Sequence, residues 1–295
     1  MAVTAALGKE LRERTGAGMM ECKKALTENG GDIEATIEAM RKSGQAKAAK
    51  KAGRIAADGV VVIRIAEDGK SAVVLEVNSE TDFVAKDAGF QAFAEGAAAQ
   101  ALASSVQDVA ELSHQPMPGT DGTVDQAREA LISKIGENIQ LRRLVRYKGA
   151  SGRLISYRHG VRIGVLVEVE GGDEALGKDL AMHIAASNPM CVDASGVAPE
   201  ALEKEKDIFR VQALQSGKPE AIVEKMIEGR VRKFLEEVTL VGQPFVKNPE
   251  LTVEKLLKQA GAKVIRFSRM EVGEGIQKRE ENFADEVMSQ VRAAE

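Results

Sequence analysis

An α+β protein is predicted, with a small N-terminal three-helix bundle, a duplicated α+β core of antiparallel three-stranded sheets and an inserted antiparallel helical hairpin. Three observations predict it. Apolar spacing is helical up to about residue 55 and then turns to the alternation of strands. The order strand, strand, helix, helix, strand then occurs twice. The second occurrence is interrupted between its helices by residues 199–240, whose pattern is helical on both sides of Ser216-Gly217-Lys218-Pro219.

In residues 1–55, Leu7 and Leu11 share a helical face, Gly16 and Gly18 break it, and Met19, Cys22 and Leu26 mark a second helix ending near Asn29-Gly30-Gly31. Asp32 suits the N-cap of a third, with Ile33, Ile37 and Met40 three or four residues apart. Arg41, Lys42, Lys47, Lys50, Lys51 and Arg54 follow without an acid among them, as expected of an exposed helix extension and linker. Met19 and Met20 point about 100° apart on a helix, so one is expected in the bundle core and the other facing out.

In residues 56–151, Gly59 to Glu67 and Ser71 to Asn78 read as a β-hairpin around Asp68-Gly69. The polar stretch Asn78 to Asp87 follows and contains Phe83, which no apolar periodicity explains. Aromatics make up 3% of the chain, so a ring in a polar loop suggests a contact outside the chain's own core; a ring folded back onto that core is the other reading. A helix is expected near Asp87 to Ser104, then a linker with Pro116, Pro118 and Gly119. Thr123-Val124-Asp125-Gln126 has capping-box form and opens a helix to about Gly136, after which Ile139 to Tyr147 is a strand.

The second copy is divided into 152–198 and 241–275 by the insertion. Gly152 to Tyr157 and Ile163 to Glu170 repeat the strand pair, and a helix is expected over Asp179 to Ser187. Leu166-Val167-Glu168-Val169 echoes Val74-Leu75-Glu76-Val77, Ala185-Ala186-Ser187 echoes the end Ala101 to Ser104, Thr252-Val253-Glu254 echoes Thr123-Val124-Asp125, and Arg266-Phe267-Ser268-Arg269 echoes Arg143-Leu144-Val145-Arg146. Against this template the first copy carries roughly nine additional residues around Phe83. In the hairpin, Val223, Ile227, Phe234 and Val238 form an apolar stripe on the second arm, and Leu202, Phe209 and Ala213 a weaker one on the first.

The formal net charge of -4 speaks against general nucleic-acid binding. Cys22 and Cys191 support neither a disulfide framework nor a zinc site, and the reading is cytoplasmic, with no signal-peptide core and no window apolar enough for a membrane span. No catalytic residues, cofactor or metal are expected. Of His114, His159 and His183, the last sits on a helix as a partly buried residue, and His159 occupies the Arg158-His159-Gly160 turn, where it is a turn filler or an exposed contact. Phosphate-loop, zinc-protease and nucleophile-elbow motifs are missing, which leaves a binding protein.

Leu11 to Leu26 (LRERTGAGMMECKKAL), Thr81-Asp82-Phe83-Val84-Ala85-Lys86, Lys134-Ile135-Gly136-Glu137-Asn138 and Val272-Gly273-Glu274-Gly275 together resemble the bacterial elongation factor Ts family essentially end to end. The resemblance implies a UBA-like fold for the N-terminal bundle, a coiled coil for the hairpin and a C-terminal module at 276–295. It also implies guanine nucleotide exchange on elongation factor Tu. Thr81, Asp82, Phe83 and Val84 would enter beside the partner's Mg2+ and nucleotide, and Met19, Met20, Lys23, Ile135, Gly136, His159 and Val246 would supply further binding contacts. Neither direct nucleic-acid contact nor a membrane is expected.

Overall fold

The computed structural model describes residues 3–15, 17–215 and 220–277. Three helices come first: α1 (Ala5–Thr15), α2 (Met19–Glu28) and α3 (Ile33–Lys51), closed over Leu11, Cys22 and Leu26. Asp32 caps α3 as expected, its carboxylate accepting from the Ala35 amide at 3.0 Å. The basic extension is helical and mostly exposed at its basic residues, as expected, but it also packs against the core. It continues α3 without a break, and its small residues Gly44 and Ala48 are buried where the helix crosses the later helix Val124–Ile135. A β-carbon on Gly44 would lie 3.5 Å from the Ser133 hydroxyl, so small side chains set the closeness of that crossing. Met19 and Met20 are both exposed, because Leu11, Cys22 and Leu26 already fill so small a core and Met19 is left lying over Gly8 of α1.

The first copy runs β1 (Asp58–Ile65), β2 (Ala72–Ser79), α4 (Asp82–Ala85), α5 (Ala88–Ala103), α6 (Val109–Ser113), α7 (Val124–Ile135) and β3 (Gln140–Tyr147). The second runs β4 (Arg153–His159), β5 (Ile163–Glu170), α8 (Glu174–Ser187), the hairpin α9 (Pro199–Leu214) and α10 (Glu220–Val238), the small ribbon β6 (Pro244–Phe245) and β7 (Asn248–Thr252), α11 (Val253–Gln259) and β8 (Lys263–Glu271). Two antiparallel sheets result, ordered β1-β2-β3 and β4-β5-β8. They pack face to face through Val61, Val74, Tyr147, Leu154, Leu166 and Met270, while α5 covers the outer face of one and α8 that of the other. Central strands β2 and β5 are therefore buried on both faces, which explains their nearly unbroken apolar runs.

The four sequence echoes combine into three equivalent contacts. The register shifts after Glu76 on β2 and after Glu168 on β5. Arg143 and Arg266 stand directly opposite these carboxylates and donate to them at 2.5 and 2.7 Å. Arg146 reaches the Ala101 and Leu102 carbonyls at the end of α5, and Arg269 reaches Ala185 near the end of α8, so each copy places a cation against a helix C-terminus. Thr123 and Thr252 cap α7 and α11, Thr123 within a complete capping box.

One length expectation needs correction. Helix α8 starts at Glu174, capped by Asp173, rather than at Asp179. The link from β2 to α5 is residues 80–87 and that from β5 to α8 is 171–173, so the first copy's link is five residues longer, not nine. The hairpin arms pack through Ala213, Val223 and Ile227, with Phe209 and Phe234 edge to face at 6.5 Å. The Ser216 to Pro219 tip and, beyond Gln277, the expected C-terminal module lie outside the described residues.

Candidate functional site, a stiff turn presenting Phe83

The extra link in the first copy is not a loose loop. Residues Asp82 to Ala85 form one helical turn, capped by Thr81, whose hydroxyl oxygen accepts from the Val84 amide at 3.4 Å. Val84 and Ala85 are buried in the core beneath β1 and β2, and Phe83 on the opposite side of the turn is 79% exposed. Of the four expected residues, Val84 thus has its side chain turned inward as the anchor, because successive helical residues point about 100° apart. The core-facing reading of Phe83 does not hold.

A carboxylate from a distant segment holds the base of this turn. Glu137 accepts from the amides of Glu80 and Thr81 at 3.1 and 3.0 Å and from the Thr81 hydroxyl at 2.8 Å. Glu80 returns the contact, accepting from the Asn138 amide at 2.6 Å and from Arg54 at 3.4 Å. Asn138 donates onward to the Arg54 carbonyl at 2.8 Å. At the far end, Asp87 caps α5 and Gln91 donates to the Ala85 carbonyl.

Beside the ring, Lys86 donates to Asp82 at 2.7 Å and its ammonium lies 5.9 Å from the Phe83 ring centre. That hydrogen bond holds the Asp82 carboxyl below the usual carboxylate range, with the charge of Arg162 contributing in the same direction. Arg162 leaves the turn between β4 and β5 and pairs with Asp58 at 2.6 Å, beside the strand ends from which the Phe83 link emerges. At the end of β4 that leads into that turn, His159 is exposed, with Nδ1 3.2 Å from the Tyr157 hydroxyl.

Ile135 is half-buried against the first core, and Gly136 ends α7 at φ 91°, a conformation that favours glycine; its carbonyl accepts from Lys51. The structure therefore gathers Thr81, Phe83, Ile135 and Gly136 at one end of the first copy and ties the His159 turn to it. Met19, Met20 and Lys23 are exposed on α2, and Val246 is exposed on the β6–β7 turn, each apart from that cluster. The sequence reading assigns Glu137 and Asn138 no role. The only signal was a carboxylate one residue beyond a helix-ending glycine, which names no contact until the chain folds.

Beneath Val246 lies a fully buried histidine. Nδ1 of His183 accepts from the Val246 amide at 3.2 Å, so Nε2 carries the proton and donates to Gln243 at 2.9 Å. Burial lowers the His183 pKa below its ordinary 6.5, the Gln243 contact opposing. A depressed histidine means the unfolded chain binds the proton more readily, so this group's stabilisation is present above about pH 6.5 and is lost as pH falls toward the folded-state value. Between pH 7.5 and 5.5 the native chain should lose on the order of 1 kcal/mol more stability than His183→Gln, measured by urea unfolding at both pH values. Parallel losses would remove His183 as the source.

The sequence profile of the family described as Elongation factor TS matches residues 80–274, which span the Phe83 turn, β3 of the first sheet, the whole second sheet and the hairpin. The chain belongs to the elongation factor Ts family. An elongation factor Ts of Methylococcus capsulatus is 62% identical over the full length of both chains, that of Thioalkalivibrio sulfidiphilus 59% over the full length of both, and that of Alkalilimnicola ehrlichii 57% over the full length of both. Membership in the elongation factor Ts family supports a nucleotide-exchange role in protein biosynthesis. Among the described residues no helix is long and apolar enough to cross a membrane.

Proposed function

We propose that this chain is a guanine nucleotide exchange factor for elongation factor Tu, acting without covalent chemistry by inserting residues 81–84 beside the partner's Mg2+ and nucleotide. The observation that carries this reading is the Phe83 ring, 79% exposed on a capped helical turn whose next residue, Val84, is buried. An exposed ring on a stiff base suits a wedge for an apolar pocket, since little ordering is left to be done on binding. Asp82 is already ionised and would leave Lys86 to repel phosphate or compete for groups around the ion. With Mg2+ displaced, the β-phosphate charge of GDP loses its counter-ion and affinity falls. By linkage, whatever factor weakens GDP also lets nucleotide weaken the complex, so rebinding releases the factor.

Met19, Met20 and Lys23 on the N-terminal bundle, with Ile135, Gly136, His159 and Val246 on the core, are assigned to affinity. This reading takes the bundle (1–55) as UBA-like, the core as 56–151 with 152–198 and 241–275, the insertion 199–240 as a coiled coil, 276–295 as a C-terminal module, and the location as cytoplasmic. It needs no cofactor, nucleic acid or membrane. The basic stretch lends little to an RNA-binding alternative, because Lys42, Lys47 and Arg54 pair with Glu38, Glu21 and Glu80, and Lys51 donates to the Gly136 carbonyl.

Stopped-flow release of a fluorescent GDP analogue from elongation factor Tu tests the proposal directly. Adding the chain should accelerate release by several orders of magnitude, and excess Mg2+ should slow the catalysed reaction. Release at the spontaneous rate, with the chain bound, would overturn it.

A further inference from the structure

We infer that Glu137 is the positioning residue of the Phe83 turn, a role that deepens the exchange reading above. Its carboxylate takes three donors from two consecutive residues, the Glu80 amide, the Thr81 amide and the Thr81 hydroxyl. Because the hydroxyl proton is given to Glu137, the lone pairs of the same oxygen face the Val84 amide, so Glu137 sets the polarity of the cap that starts the turn. The reverse contact from the Asn138 amide to Glu80 makes the pair a tertiary counterpart of a capping box, its halves 58 residues apart in sequence.

Comparison of the two copies points the same way. The α7–β3 connection is residues 136–139 and contains Glu137-Asn138, whereas the α11–β8 connection is Ala260-Gly261-Ala262 with no carboxylate. The copy with the additional turn is the copy with the acid that grips it. Plain connection of helix to strand does not need Glu137, since the second copy makes it without one. Without the carboxylate, two half-buried amides and a hydroxyl lose their acceptor at the point where the turn's direction is set, and the ring wanders from the geometry insertion requires.

The chain contains no tryptophan, so Phe83→Trp in the full chain gives a single reporter of ring mobility. Adding Glu137→Ala should lower the anisotropy of that tryptophan while the far-UV spectrum stays native. In the exchange assay, Glu137→Ala alone should slow catalysed GDP release about tenfold with partner affinity nearly unchanged, and should have no further effect on a Phe83→Ala background. Unchanged anisotropy in the folded double variant would overturn the inference, as would an equal loss of exchange on the Phe83→Ala background. Should Glu137→Ala fail to fold, Glu137→Gln, which keeps one acceptor oxygen, takes its place in both comparisons. The anisotropy arm involves no partner, so it decides the role of Glu137 even if Phe83 proves to have no part in exchange.

Discussion

Phe83→Ala is expected to slow catalysed GDP release by about tenfold or more, equivalent to at least about 1.4 kcal/mol in the barrier, while complex affinity largely survives. The split follows from where the residue sits. Its ring is 79% exposed, with the Lys86 ammonium 5.9 Å from its centre, so truncation should move folding stability by no more than about 0.5 kcal/mol. Contacts assigned to α2 and the β6–β7 turn lie apart from the ring, those at the α7 end do not involve its atoms, and all remain. Release at the native rate by a folded Phe83→Ala variant would sink the wedge. A matching fall in affinity and rate would instead assign Phe83 to binding alone.

Glu76→Ala should destabilise the fold by about 3–5 kcal/mol, seen as a lower urea midpoint with an unchanged slope. The carboxylate is fully buried between the sheets, where it accepts from Arg142 at 2.9 Å, Arg143 at 2.5 Å and the Gly273 amide at 2.8 Å. Burial pushes its pKa up, but the Gly273 amide and the two guanidinium groups outweigh this and leave it below the ordinary value of 4.5. A depressed carboxylate contributes stability that is present above the unfolded-state pKa and lost as pH falls through the folded one. Alanine strands two cations and an amide at the joint between the two copies. Glu76→Gln keeps one acceptor and should lose less, about 1.5–3 kcal/mol. A loss below about 1 kcal/mol for Glu76→Ala would mean that both arginines swing freely into solvent.

Much of this was legible along the chain. The capping box at Thr123, the Asp68-Gly69 hairpin and the Asp32 cap are local, each decided by residues three or four apart. The echo of Leu-Glu-Val around Glu76 and Glu168, with Arg143 and Arg266 downstream, was legible as a repeat because both copies need the same buried pairing. Failures of the reading were not local. One of Met19 and Met20 is expected in the bundle core, yet both are exposed, because whether a helical residue is covered depends on what crosses above it. The basic end of α3 looked solvated because its lysines are, while Gly44 and Ala48 beneath them make the crossing with α7.

The Phe83 turn divides along the same line. An aromatic without periodicity, in a segment its sister copy lacks, is enough to mark a candidate site, because hydrophobic pattern and repeat comparison are properties of a one-dimensional string. Only the folded chain decides that Phe83 points out and Val84 in, and that Glu137 and Asn138, more than fifty residues downstream, clasp Glu80 and Thr81. The physical reason is that a carboxylate can satisfy any nearby amide donors. Which donors those are depends on how α7 lies across the sheet, and that is set by packing of the whole core.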